Sequence, residues 1–160
     1  EFRRVLFRSV PVNALFEEYV NKLLKAIPNI TTQYGKLNDF AFSETRNYLK
    51  IKPDYVLYRD DKIFLTADAK YKNPYTSLEG HLVINRNDIY QIFAYMKSYG
   101  TNKGLLLYPL FKQFDQQENE QLNIADFLTI NKLKIIFVDL IDKSFDESKN
   151  LLSEELSRYI

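Results

Sequence analysis

Two stretches of alternating residues on either side of Asp60-Asp61 constrain this chain more than any other feature. In residues 47–58, Leu49, Ile51, Tyr55 and Leu57 fall on one face of an extended segment, and in residues 63–72 Ile63, Leu65, Ala67, Ala69 and Tyr71 do the same. Side chains alternate across a strand, so each stretch has one face for a core and one free for other work. Adjacent aspartates supply turn chemistry, and the two stretches read as a hairpin. The register is limited as well. The apolar faces coincide only if paired residue numbers sum to an even value, near 120 or 122. At 122, Leu57 faces Leu65, Tyr55 faces Ala67, and Asp54 faces Asp68 directly. At 120 the two aspartates are diagonal neighbours on the same face.

Opposed carboxylates on a sheet, with Cβ atoms ~5 Å apart, repel unless positive charge lies between them. Two readings of that face follow. Either a divalent cation sits between Asp54 and Asp68 with Lys70 one strand step away, or Lys52 and Lys70 bridge the carboxylates of an ordinary surface hairpin. The rest of the composition narrows the chemistry. There is no Cys, and His81, read as a loop residue, is the single histidine. Thiolate sites, paired-histidine metal sites and cysteine nucleophiles are therefore excluded. Carboxylates, lysines and backbone oxygens remain, which suits a hard oxygen-bound cation such as magnesium.

Around the hairpin the pattern predicts a helix capped by Asn13 and carrying Leu15, Phe16, Tyr19, Val20, Leu23, Leu24 and Ile27 at helical spacing. Pro28-Asn29 ends it, and the mixed polar residues 30–46 read as a loop or irregular strand. A second helix starts at Asn85 or Asn87 and closes at Gly100; strands follow at 104–110 and 133–140, then a helix from Asp146 to Tyr159. The expected order is α-β-β-α-β-(β)-α, a compact α/β domain. Residues 1–9 hold three arginines and read like translated adaptor DNA, so the native domain is expected to span 10–160. No apolar run approaches the roughly 20 residues of a membrane helix.

Net charge is +1 over the chain, but it is uneven: residues 44–112 carry eleven basic and seven acidic side chains, residues 113–160 five and ten. A basic middle fits a domain that turns one side to a polyanion, or else ordinary surface scatter. Without residues 1–9 there are 19 basic and 20 acidic side chains, so charge alone identifies no partner.

Pro53-Asp54, thirteen residues, and then Asp68-Ala69-Lys70, after a helix bearing glutamates, resembles the PD-(D/E)xK nuclease superfamily. The resemblance is closer still to the C-terminal nuclease domain of McrC-type 5-methylcytosine-specific restriction subunits. Four stretches carry it in order: Leu15-Phe16-Glu17-Glu18-Tyr19-Val20, Lys52-Pro53-Asp54, Asp68-Ala69-Lys70-Tyr71-Lys72, and Asp88-Ile89-Tyr90-Gln91 continuing to Ala94-Tyr95. The resemblance implies a restriction-endonuclease-like core, a central mixed sheet flanked by helices, and magnesium-dependent hydrolysis of DNA phosphodiesters, with manganese as a substitute ion. Asp54 and Asp68 would bind the metal, with the Ala69 backbone carbonyl as a further ligand. Lys70 would orient or deprotonate the attacking water, and Glu17 matches the supporting helix glutamate, Glu18 lying farther toward solvent. Gln91 and Tyr95 match a Q-x-x-x-Y pair that positions the site and DNA.

Lys52 and Lys72, with Lys50, Lys62 and Arg86, are candidates for phosphate contact, and Asp88 reads as a first-turn carboxylate favoured by the helix dipole. The implied partners are DNA and, in a full-length context, an McrB-like AAA+ GTPase in the cytoplasm of a bacterium or archaeon. No phosphate-binding loop occurs in this chain, and an oligomer on DNA is left open. The competing expectations are a stand-alone PD-(D/E)xK nuclease and a catalytically unused DNA-binding or protein-interaction module.

Overall fold

The computed structural model describes residues 11–113, 117–126 and 128–159. Residues 1–9, set aside on sequence grounds, lie outside them. A six-stranded mixed sheet forms the centre, with strand order β1-β4-β5-β8-β10-β9. Its members are β1 (Thr31–Tyr34), β4 (Tyr55–Arg59), β5 (Lys62–Ala69), β8 (Lys103–Pro109), β9 (Glu120–Ala125) and β10 (Ile130–Val138). Strands β5, β8 and β10 run parallel; the other pairings are antiparallel. Two further hairpins stand apart, β2 (Asn38–Phe42) with β3 (Asn47–Ile51), and β6 (Tyr75–Leu78) with β7 (His81–Ile84).

Helices cover both faces. Helix α1 (Val12–Lys25) buries Phe16, Val20, Leu23 and Leu24, and with Leu152 and Leu156 of α3 (Phe145–Ser157) it packs on Leu57, Leu65, Leu105 and Leu107. Helix α2 (Arg86–Ser98) lays Ile92, Tyr95 and Met96 on the other face, against Leu106, Tyr108, Leu133 and Ile135. Its approach is close at Gly104, where a Cβ would lie 2.6 Å from the Met96 sulfur.

The β4–β5 hairpin adopts the 122 register, pairing Tyr55 with Ala67 and Leu57 with Leu65. A bulge follows between Leu57 and Tyr58, and Asp60 and Asp61 turn the chain with φ of 49° and 57°. Left-handed conformation at both central residues matches the right-handed twist of the flanking strands. The paired strand is shorter than predicted. Residues 47–58 are two strands, because Pro53 has no N–H to give a ladder and interrupts them. Strand β3 pairs with β2, and Leu49 is 48% exposed, so it does not share the core face of Tyr55 and Leu57.

Other expectations are corrected in the same way. Pro11, not Asn13, precedes α1, its fixed φ of −58° starting the helix without a side-chain cap. Residues 30–46, read as a loop or irregular strand, hold β1 and β2, the second paired with register shifts, so the strand alternative is the one adopted; His81, read as a loop residue, opens β7. The order α-β-β-α-β-(β)-α omits β1, β2, the β6–β7 hairpin and β9. Strands β1, β6 and β7 are four residues each and largely exposed, while β9 does alternate, with Leu122 and Ile124 turned to the core, and was overlooked. Asn85 does cap α2, its side chain accepting from Asn87 N at 2.9 Å, and Gly100 closes it with φ of 65°. Helix α3 begins in a reciprocal capping box between Ser144 and Glu147.

Candidate functional site

The 122 register carries one residue past the ladder to oppose Asp54 and Asp68. Leu65, Ala67 and Ala69 alternate onto the α1 face, which turns Asp68 and Lys70 toward α2. Asp54 is fixed from two sides. Its Oδ2 accepts from Ala69 N at 2.8 Å, and its carbonyl accepts from Gly35 N at 3.4 Å. Gly35 is required for this approach, since a Cβ there would lie 2.2 Å from the Pro53 carbonyl oxygen.

These side chains open into a cleft of about 400 Å³. Its lining holds Glu17, Asp54, Asp68, Ala69, Lys70, Lys72, Gln91 and Tyr95, together with Asn13 and Tyr71. Lys70 Nζ lies 2.7 Å from Asp68 Oδ2 and 2.5 Å from Gln91 Oε1, while Gln91 Nε2 donates to the Tyr95 hydroxyl at 2.8 Å. The Lys70–Asp68 contact is an ion pair without hydrogen-bond angles, so Asp68 Oδ2 is buried without a donor.

The electrostatics show a shortage of positive charge. Burial, then the neighbouring Asp68 charge, hold the Asp54 carboxyl up at about 7, with the Ala69 N–H acting against them. Glu17 is also raised, first by burial and then by Asp68, with Lys70 opposing. Tyr95 is pushed up to about 12, by burial first and then by Asp68 and Asp54. One lysine does not compensate carboxylates from two strands and a helix.

Most sequence-predicted site residues converge here, and the basic group does not. Lys52 is exposed and outside the cleft lining. Lys50 lies 3.8 Å from Asp39 on the β2–β3 hairpin. Lys72 lines the cleft but is paired with Asp88 at 2.7 Å. Of the predicted lysine bridges, Lys70 makes its contact with Asp68. Among the described residues, no group of three or more acidic or histidine side chains is arranged to hold an ion.

Residues 7–109 match the family described as McrBC 5-methylcytosine restriction system components. The chain belongs to that family. The matched span contains every residue that lines the cleft. The McrBC component also resembles a chain of the refined half-complex from a tetradecameric assembly of Thermococcus gammatolerans McrB AAA+ hexamers with bound McrC. The TM-score is 0.70 at 17% identity over 94% of this chain, a likeness of fold. The present chain spans 34% of that one. No curated protein matches it.

Sequence reasoning missed the part of two residues that shape this cleft. Asp88 was read as a dipole partner, yet it is 4% exposed and bonded to both Lys72 and Tyr108. Its spacing of three from Gln91 on one helix face was the available signal. Nothing local marks Gly35, whose contact with Pro53 depends on β1 pairing with β4.

Proposed function

We propose that this chain is the DNA-cutting domain of a McrBC-type, modification-dependent restriction system, with a restriction-endonuclease-like core that hydrolyses phosphodiesters with magnesium. The observation that carries the reading is the pair Asp54 and Asp68, opposed across β4 and β5 with Lys70 at the same edge. Nothing in the packing requires like charges there, and their repulsion works against folding. The donor set suits magnesium, which keeps several waters and needs only one or two carboxylates. The buried, donorless Asp68 Oδ2 and the raised Asp54 carboxyl are the groups a cation would satisfy. Asp54, Asp68 and the Ala69 carbonyl would hold it.

When bound, magnesium supplies positive charge that stabilises the phosphate as its oxygens gain charge. Lys70 points into the cleft from beside Asp68 and orients the water whose oxygen attacks phosphorus. Gln91 and Tyr95 hold the Lys70 ammonium in place. Glu17, which lines the same cleft, would take a proton from that water as its oxygen bonds to phosphorus. The phosphate ester bond then breaks, and its oxygen leaves as a hydroxyl after taking a proton from solvent. An McrB-like AAA+ partner is supported by the similar structure, in which McrC is bound to McrB hexamers, and target choice and transport along DNA would fall to that partner. No described helix is long and apolar enough to cross a membrane. A system that cuts DNA acts where the DNA is, and on that ground we place it in the cytoplasm.

The test is cleavage of supercoiled plasmid with magnesium and with EDTA, for wild type and Asp68→Ala. Magnesium-dependent nicking that falls at least about 10³-fold in a folded Asp68→Ala variant is the expected result. Equal cutting by both proteins removes the assignment.

A further inference from the structure

Both lysines of Asp68-Ala69-Lys70-Tyr71-Lys72 are held by α2. Lys70 reaches Gln91, and Lys72 Nζ lies 2.8 Å from Oδ1 and 2.7 Å from Oδ2 of Asp88. Asp88, Gln91 and Tyr95 stand at i, i+3 and i+7, so one helix face meets the end of β5. The Asp88 contact is the more deeply built of the two. Its carboxylate is 4% exposed, and the Tyr108 hydroxyl, fully buried on β8, donates to Oδ2 at 2.8 Å. It also lies in the first turn of α2, where the helix dipole favours negative charge. A carboxylate this buried is tolerated only when paired and bonded, and here both oxygens are.

The pair also brackets the β6–β7 hairpin, which leaves the chain after Lys72 and returns at Asn85. That root is closed by a second bond, Asn85 N to Pro74 O at 2.8 Å. The backbone beside it is tied to the sheet through Lys70 N, which donates to Leu107 O at 2.9 Å. Freed from Asp88, Lys72 would swing with the hairpin, and the exit of β5 would keep only the Lys70–Gln91 bond as its side-chain link to α2.

We propose that Asp88, buttressed by Tyr108, is a positioning residue that uses Lys72 as a tether to fix the β5 exit, and through it Lys70, against α2. Lys72 is then an anchor, its charge engaged within the protein, rather than a phosphate contact. The role at Lys70 rests on the nuclease reading above; the tether itself does not.

The experiment compares Asp88→Ala, Lys72→Ala, their double variant, Tyr108→Phe and Lys72→Arg in steady-state cleavage of duplex DNA with magnesium. Amide hydrogen exchange at residues 70 and 72 is measured without DNA. The tether predicts that Asp88→Ala and Lys72→Ala each lower kcat about 10- to 100-fold with little change in KM. The double variant is no worse than either single one, because both remove the same contact. Lys72→Arg, which restores a two-pronged pair, recovers most of kcat, and Tyr108→Phe has a smaller effect. Exchange at residues 70 and 72 quickens in Asp88→Ala, or in the isosteric Asp88→Asn if the alanine variant does not fold. A raised KM in Lys72→Ala with no change in Asp88→Ala makes Lys72 a phosphate contact and overturns the proposal, as do additive losses in kcat. If folded wild type does not cut DNA, the nuclease reading fails. The exchange data then decide the tether by themselves: faster exchange supports it and unchanged exchange overturns it.

Discussion

Lys134 and Asp68 are both nearly buried charges on the six-stranded sheet, two strands apart and on opposite faces. Lys134 on β10 is fully provided for. It pairs with Glu155 at 2.6 Å, donates to the Glu155 carbonyl at 3.0 Å, and lies 5.6 Å from the centre of the Tyr159 ring. Asp68 on β5 faces Asp54 and has one lysine, whose ammonium lies 2.7 Å from the buried Oδ2 without making a hydrogen bond to it. A charge that holds the fold together is met by its opposite inside the protein; a charge kept for chemistry is left short of its opposite. On the nuclease reading proposed above, the cleft is the second kind.

The comparison breaks most sharply at Lys134. Lys134→Ala should destabilise the protein by about 3 kcal/mol, because it strips the partner from a half-buried Glu155 and removes the stem packed near Tyr159. Arg158, 3.9 Å from Glu155, keeps the loss toward the low end of what buried pairs cost. Urea unfolding measures it. Asp68→Ala, equally buried, should leave the midpoint unchanged or raise it. A midpoint that falls as far for Asp68→Ala as for Lys134→Ala would mean that the cleft carboxylates also stabilise the fold.

Much of the cleft was legible because a strand hairpin converts residue numbers directly into neighbours. Once Leu57 is set against Leu65, Asp54 and Asp68 have little choice. The helical spacing of Gln91 and Tyr95 was readable for the same reason. Asp88 does stand in the first turn of α2, but its burial and its bonds to Lys72 and Tyr108 come from the strands beside it, which helix position does not show. The surrounding strands were not legible. Short exposed pairs such as β6–β7 and β2–β3 are held by backbone hydrogen bonds and turns, and their side chains give no alternation to read. Glu79-Gly80, the turn between β6 and β7, was the one local signal, with φ of 50° and 82°. Residues 47–51 misled by alternating correctly while belonging to a different sheet, and Pro53 was the mark of that break.

Gly35 offers a second, smaller test of the same contrast. Its Cβ position is occupied by the Pro53 carbonyl oxygen, so Gly35→Ala must push the Pro53-Asp54 segment outward. Overpacking of this kind costs about 2 kcal/mol. The sharper consequence falls on the cleft, because Asp54 moves away from Ala69 N and from Asp68. Cleavage under conditions where the variant remains folded should drop by at least about tenfold, more than its stability loss explains. Retained cleavage beside lost stability would show that the Asp54 position tolerates displacement.

The smallest effect has the opposite sign. Burial and the Asp68 charge hold the Asp54 carboxyl at about 7, above the 3.8 of an ordinary aspartate. The folded chain therefore holds this proton more tightly than the unfolded chain does. Below about pH 4 both states carry it, and Asp54 costs nothing by ionising. As pH rises from about 4 to about 7 the unfolded state ionises freely while the folded state resists, so stability is lost through that window and the loss is complete above it. Asp54→Asn keeps an oxygen for the Ala69 N–H and removes the charge. In EDTA, its melting temperature should exceed that of wild type by a few degrees near pH 8, about 1 kcal/mol after solvent screening, and the two should converge near pH 4. Magnesium at pH 8 should then raise wild type toward the variant and leave Asp54→Asn unmoved, because only the carboxylate pair gains by binding it. A stabilisation equal at both pH values would trace the gain to packing, and the cleft would no longer differ in kind from the compensated pair at Lys134.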